Sequence, residues 1–182
     1  MDRIVGVIGL GIMGGAMSRN LVADGWRVLG FDPDPARRAE AAAAGVEAMD
    51  GPLAVARMAP VLITSLPGPE ALMATAAALA GLPRRVIVET STLAIADKDA
   101  AAHVLADAGH VPLDCPLSGT GAQAVHKDLV VYASGDAAAI AALQPLYMGF
   151  AREAPDVGAF GNGSRMKFVA NLLVAIHNVA AA

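Results

Sequence analysis

Glycines at 9, 11 and 14 stand in the run Val5-Gly-Val-Ile-Gly9-Leu10-Gly11-Ile12-Met13-Gly14, directly after an apolar stretch and directly before a helical one. A loop of this kind has a defined chemical use. The first glycine permits a tight turn, the second lets the backbone approach a pyrophosphate, and the third lets the next helix lie close to the strand. The N-terminus of that helix adds free N–H groups and a partial positive charge. All six residues from Gly9 to Gly14 are therefore expected to touch a dinucleotide cofactor. Asp32 follows the second strand, 21 residues beyond Gly11. A carboxylate there can accept hydrogen bonds from both adenosine ribose hydroxyls and repel a 2′-phosphate. The pattern favours NAD, with NADP the lesser alternative because Arg37 and Arg38 lie close enough to receive that phosphate.

A second group of residues could do chemistry on a substrate. Lys167 and Asn171 are four apart and share one helix face. Gly163 is expected to leave space above the lysine. Phe168, Val169, Leu172 and Leu173 surround it, and burial of a lysine disfavours its charged form, which suits general acid–base work. The segment from Asp114 through Ser118, Gly119 and Thr120 to Gly121 offers a hydroxyl and backbone N–H groups to a carboxylate, or is simply a turn. Leu66 and Pro67 follow one strand and are expected on the nicotinamide ribose side. Thr92 follows another strand, where it either hydrogen-bonds the ribose or carboxamide or caps a helix. Cys115 reads as a small buried hydrophobe rather than a nucleophile. No metal-ligand set is expected.

The elements that must position these residues alternate. Strands are expected at 4–8, 26–31, 61–65 and 86–89, and helices at 12–24, 35–44, 72–80 and 94–108. Apolar strands alternating with helices imply an α/β fold with a doubly wound, mostly parallel Rossmann-type sheet. Later strands are expected at 110–114 and 129–133, then a helix at 137–148, a loop at 158–163 and an apolar helix at 164–182. Residues 1–163 thus form a dinucleotide-binding domain. Residues 164–182 begin a long interdomain helix whose apolar surface calls for cover by a helical domain beyond this chain, or by a partner chain.

Composition excludes several classes. The 182 residues are 55% hydrophobic and 16% charged, with a net charge of -4. The absence of a basic block argues against nucleic acid. One cysteine rules out an internal disulfide framework and fits a reduced cytoplasmic location. The charged pair Asp2 and Arg3 directly after Met1 argues against a signal peptide. The chain has no uncharged apolar run of about 18 residues, so no membrane partner is expected.

Four segments together resemble the β-hydroxyacid dehydrogenase family, whose members include 3-hydroxyisobutyrate dehydrogenase and tartronate semialdehyde reductase. They are Gly9 to Gly14 with Met17, Asn20 and Leu21; Leu66-Pro67; Asp114 to Gly119; and Gly161 to Asn171. The resemblance implies that Ser118 and Gly119 bind a substrate carboxylate, that Lys167 is the catalytic lysine, and that Asn171 orients the substrate. It also implies a small β-hydroxy acid or semialdehyde as substrate and a homo-oligomer in the full-length form. Two departures stand out. Thr120 replaces the glycine usual in its turn, and Lys127 falls where the family has a glycine. Phosphogluconate dehydrogenases resemble the chain less well, because they carry a histidine where this chain has Ala170. Imine reductases of similar fold usually lack the lysine. Rival readings are an NAD-binding module without turnover and a domain for another nucleotide such as a flavin.

Overall fold

The structure, a computed structural model, describes residues 3–181. The expected charge at Asp2 and the expected helix end at residue 182 lie outside the described residues. Strand β1 (Ile4–Ile8) leads through the glycine loop into α1 (Ile12–Ala23), then β2 (Arg27–Phe31), α2 (Pro35–Ala43) and a two-residue β3 (Glu47–Ala48). The chain then crosses back through α3 (Pro52–Met58) to β4 (Val61–Thr64), α4 (Pro69–Leu79), β5 (Val86–Glu89), α5 (Ile95–Asp107) and β6 (Val111–Asp114). These six strands form one parallel sheet in the order β3-β2-β1-β4-β5-β6. The doubly wound parallel sheet expected from the alternation is therefore present.

The sheet forms because its central strands are apolar on both faces. All four residues of β4 are buried, as are Val5, Val7 and Ile8 of β1. Each such side chain taken out of water contributes roughly 1.5–3 kcal/mol. Two clusters result. One includes Met17 and Leu21 of α1 with Tyr147 and Phe150, and the other joins Val55, Leu72, Leu79 and Leu105 to the sheet.

Several boundaries differ from expectation. The helix α3 was missing from the sequence reading, and α4 starts at Pro69 rather than residue 72; both have proline in the first turn, where its missing N–H costs nothing. The helix expected at 137–148 is two helices, α7 (Ala137–Ala142) and α8 (Gln144–Phe150), separated at Leu143. Pro145 sits in the first turn of the second, because a proline there cannot donate back into the first. A small antiparallel pair, β7 (Leu117–Ser118) with β8 (Val130–Val131), flanks the short helix α6 (Gly121–Val125). The last helix, α9 (Asn162–Ala180), begins two residues earlier than expected. No helix among the described residues is long and apolar enough to cross a membrane.

Candidate functional site

The connection between β1 and β4 is where the winding reverses. The chain proceeds from β1 outward through β2 and β3, then returns to the other side of β1. Ligands of open α/β sheets sit beyond the carboxyl ends of the strands at such a point. A cleft of about 520 Å³ opens there, lined by Gly9, Gly11, Ile12 and Met13 after β1, by Asp32 after β2, and by Leu66 and Pro67 after β4, among others.

The glycine loop has the geometry that its spacing implies. Gly9 has a φ of 94°, in the left-handed region, and its N–H donates to the Phe31 carbonyl at 2.8 Å. A Cβ at Gly14 would collide with the Gly9 carbonyl oxygen, so only glycine lets α1 start this close to the strand. A Cβ at Gly11 would meet only the tip of the Arg37 side chain, at 3.4 Å, so that face of the loop is open. The start of α1 has no side-chain cap and no acidic residue in its first turn. Its N–H groups and dipole are therefore available to an anion.

Asp32 is 3% exposed and braces this loop. Its Oδ2 accepts from the Leu10 N–H at 2.8 Å and its Oδ1 from the Asp34 N–H at 2.9 Å. A carboxylate has about four lone-pair directions, so capacity remains for two hydroxyl donors from the cleft. Leu10 and Gly14 lie beneath the cleft, buried, while the other loop residues line it. Arg37 and Arg38 fall near the start of α2. The Arg38 Nη1 donates to the carbonyls of Asp32 and Pro33, at 2.6 and 3.1 Å. Arg37 lines the cleft instead, with Nη1 3.5 Å from Asp32 Oδ2. The residues present thus fit a dinucleotide: a cradle that side chains would fill, a helix N-terminus, and a carboxylate in the cleft wall after β2.

The later strand ends are tied to this cleft from below. The Leu66 N–H donates to Ser91 Oγ at 2.8 Å. Thr92 is exposed and lies outside the residues lining the cleft. It does not cap α5, which starts at Ile95 with Ala94 as its N-cap, so the capping alternative for Thr92 is overturned.

The second group of residues lies around β6, β7 and α9. Ser118 pairs with Val130 across the small sheet and is half-buried, while Gly119 and Thr120 are exposed in the turn that follows. Thr120 caps α6: its Oγ1 accepts from the Gln123 N–H at 3.3 Å, and its own N–H donates to Gln123 Oε1 at 3.0 Å. This reciprocal cap gives the departure from glycine a local structural use. Lys127 has a φ of 58°, the sole non-glycine residue with positive φ among those described. Its backbone is thus in the left-handed region that glycine occupies most easily. Asn20 ties α1 to α6 by donating to the Ala124 carbonyl at 2.7 Å.

Helix α9 packs its first turn against β6 and β7. Gly163 is the contact point, and the expectation that it leaves room above Lys167 is corrected. A Cβ there would collide with the Tyr132 carbonyl and lie 2.7 Å from the Asp114 carbonyl, so Gly163 lets the helix approach the strands. Lys167, one turn on, is half-buried, and burial lowers its pKa from the usual 10.5. It forms no ion pair with the described carboxylates. Asn171 is exposed one turn further along. Cys115 is fully buried, and burial pushes its thiol up to about 12. That disfavours the thiolate and agrees with the hydrophobe reading.

A buried charge cluster escaped the sequence reading. Lys98 of α5 is 2% exposed, with Nζ 2.6 Å from Glu89 Oε2 and 2.5 Å from Asp114 Oδ1. Burial alone would lower the lysine pKa, but the two carboxylates outweigh it and the net direction is upward. Burial raises the Glu89 pKa, against the opposing pull of Lys98. The signal was present but weak. Lys98, Ala101 and Leu105 are all buried on α5, and their i, i+3, i+7 spacing is that of an inward stripe. Asp97 and Asp99 on either side of Lys98 obscure that stripe.

Known proteins are similar to this chain in sequence and fold. The chain is 35% identical to a probable 3-hydroxyisobutyrate dehydrogenase of Mycobacterium bovis over 182 residues, covering 98% of this chain and 61% of the relative. It is 30% identical to the L-threonate dehydrogenase of Cupriavidus necator, covering 100% of this chain and 63% of that protein. Among solved structures, the 3-hydroxyisobutyrate dehydrogenase of Mycobacterium tuberculosis with L-serine superposes with a TM-score of 0.94 at 31% identity, over 99% of this chain and 62% of that one. The chain therefore spans about three-fifths of the length of these relatives. Residues 4–159 match the family described as the NAD binding domain of 6-phosphogluconate dehydrogenase, and the chain belongs to that family.

Proposed function

We propose that the chain is the cofactor-binding portion of an oxidoreductase that moves a hydride between a β-hydroxy acid and NAD. The cleft at the β1–β4 reversal, with Asp32 bracing the glycine loop from the ribose end, is the observation that carries this reading. The loop from Gly9 to Gly14 holds the pyrophosphate and Asp32 the adenosine ribose. Leu66 and Pro67 flank the nicotinamide ribose, and Thr92, in the exposed segment between β5 and α5, reaches the cofactor only at the rim of the cleft. The preference for NAD over NADP rests on Asp32, a carboxylate already held in the cleft wall by two backbone N–H groups. A bound nicotinamide supplies the hydride acceptor.

The chain's own residues handle the rest. Ser118, Gly119 and Thr120 receive the substrate carboxylate. Lys167, neutral, takes the proton of the substrate hydroxyl during oxidation, and its protonated form returns that proton during reduction. Asn171 orients the reacting group. The sign of the Lys167 shift supports this role, because a lowered pKa enlarges the neutral fraction at a given pH. Residues 1–163 act as the cofactor domain, and the helix from 164 onward leads to a covering body. Leu172, Val174, Ile176 and Val179 are all more than half exposed on that helix. An apolar surface of this kind favours cover by a helical domain or a second copy of the protein. A cytoplasmic location fits the single, buried, reduced cysteine.

One observation favours a second reading for the chain by itself. Asn171 is exposed and Lys167 only half-buried, so the chain can hold NAD without turnover. An assay of 3-hydroxyisobutyrate and L-threonate with NAD, read as NADH absorbance, separates the two. The primary reading expects NADH with at least one β-hydroxy acid. NAD binding with no NADH from any of them would replace it by the module reading.

A further inference from the structure

We infer that Lys98 is a positioning residue, whose buried ammonium ties the strand end beneath the cofactor loop to the start of α9 and so fixes Lys167 relative to the cleft. The inference rests on the acid–base role proposed for Lys167. Its basis is an unbroken path of polar contacts. On the cofactor side, the Leu66 N–H donates to Ser91 Oγ at 2.8 Å, and the Ser91 N–H donates to Glu89 Oε1 at 2.8 Å. Lys98 Nζ donates to the Ser91 carbonyl at 2.9 Å and lies 2.6 Å from the other Glu89 oxygen. It also lies 2.5 Å from Asp114 Oδ1. On the far side, Asp114 accepts from the Ser164 N–H at 2.8 Å and the Ser164 hydroxyl at 2.9 Å. The Ser134 hydroxyl donates to the Asp114 carbonyl at 2.9 Å and accepts from the Gly163 N–H at 3.0 Å. Ser164 lies three residues ahead of Lys167 on the same helix.

The sheet does not need these charges to hold together. Strands β5 and β6 already pair in register from Val86↔Val111 to Glu89↔Asp114. That register puts two buried carboxylates side by side, an arrangement that repels without the ammonium. Apolar side chains of similar volume would fill the same space, and such replacements are often neutral or stabilising. What the charged cluster adds is a link, since the Lys98 ammonium donates to the Ser91 carbonyl and lies at ion-pair distance from both carboxylates, joining β5 to β6 and α9 in a way apolar packing would not. Its three charges lie between the two segments whose relative placement matters for the reaction.

The test uses the 182-residue chain and needs no turnover. Lys98→Met alone leaves Glu89 and Asp114 facing each other and can unfold the protein. The double variant Lys98→Met with Glu89→Gln avoids this. The double variant removes the facing pair of carboxylates, and the Asp114 carboxylate left behind keeps its donors from Ser164. Hydrogen exchange is read segment by segment. Nuclear magnetic resonance of carbon-labelled lysine follows the titration of Lys167, one of three lysines in the chain. The expected result is exchange faster by about tenfold or more at residues 65–68 and 163–168, with β1 and α1 protected as before. The Lys167 titration midpoint should rise toward that of an exposed lysine. Native-like exchange at both segments, acceleration spread evenly over the chain, or an unmoved Lys167 midpoint would each overturn the inference. Should the double variant not fold, Ser164→Ala, which removes only the hydroxyl contact to Asp114, carries the same comparison at 163–168 and at Lys167. A chain that oxidises no β-hydroxy acid would sink the proposed function while leaving these readouts intact.

Discussion

Replacing Lys167 by alanine is expected to lower β-hydroxy acid oxidation by about 10²- to 10⁴-fold, the range for loss of a positioned general base. The NAD affinity should not change, because Lys167 lies on α9 while the cleft is built from the ends of β1, β2 and β4. A mutation that lowers kcat and kcat/KM together removes an interaction made in the transition state, and this is the pattern expected. The pH dependence supplies a sign. Burial lowers the Lys167 pKa from 10.5, so the neutral base appears at lower pH than for an exposed lysine. Oxidation should rise as pH increases through that lowered value, and reduction, which needs the protonated form, should fall over the same window. Steady-state kinetics of Lys167→Ala checks both. Native kcat in the variant would remove the lysine from the mechanism.

The second large effect is on stability. Lys98→Met takes the only cation from a cluster of two buried carboxylates. Removing one partner of a buried ion pair typically costs about 3–5 kcal/mol, because the charge left behind has lost its compensation. That is a large fraction of the 5–15 kcal/mol that holds an ordinary domain folded. Glu89→Gln should cost far less, since the Lys98 ammonium stays paired with Asp114 and no carboxylate is left without its cation. Urea unfolding of the two variants reads the difference. Equal midpoints for Lys98→Met and the native chain would show that the three groups are not coupled as their distances imply.

How much of this was legible in the sequence depends on whether the cause was local. The glycine loop, Asp32 and the placement of Arg37 and Arg38 follow from strand, turn and helix chemistry within about thirty residues of chain. The parallel sheet followed from alternation, because strands covered on both faces must be apolar throughout. What stayed hidden depends on partners far away in sequence. Lys98 meets Asp114 only because β5 and β6 lie side by side, and Asp114 meets Ser164 across fifty residues. Gly163 shows the same limit from another side. Its spacing from Lys167 suggested free space, whereas the fold uses it to seat a helix against Tyr132 and Asp114. Lys127 and Thr120 are the converse case. Both depart from an expected glycine: the structure gives Thr120 a reciprocal helix cap, whereas Lys127 keeps the left-handed backbone that favours glycine, and nothing local explains the lysine.

Calorimetric titration of the chain with NAD and, separately, with NADP tests the central claim, that this cleft is an NAD site set by the glycine loop and Asp32. The account predicts one saturable site per chain and tighter binding of NAD by about tenfold, the worth of one or two hydrogen bonds to the ribose. Tighter binding of NADP, or no binding of either, would contradict it.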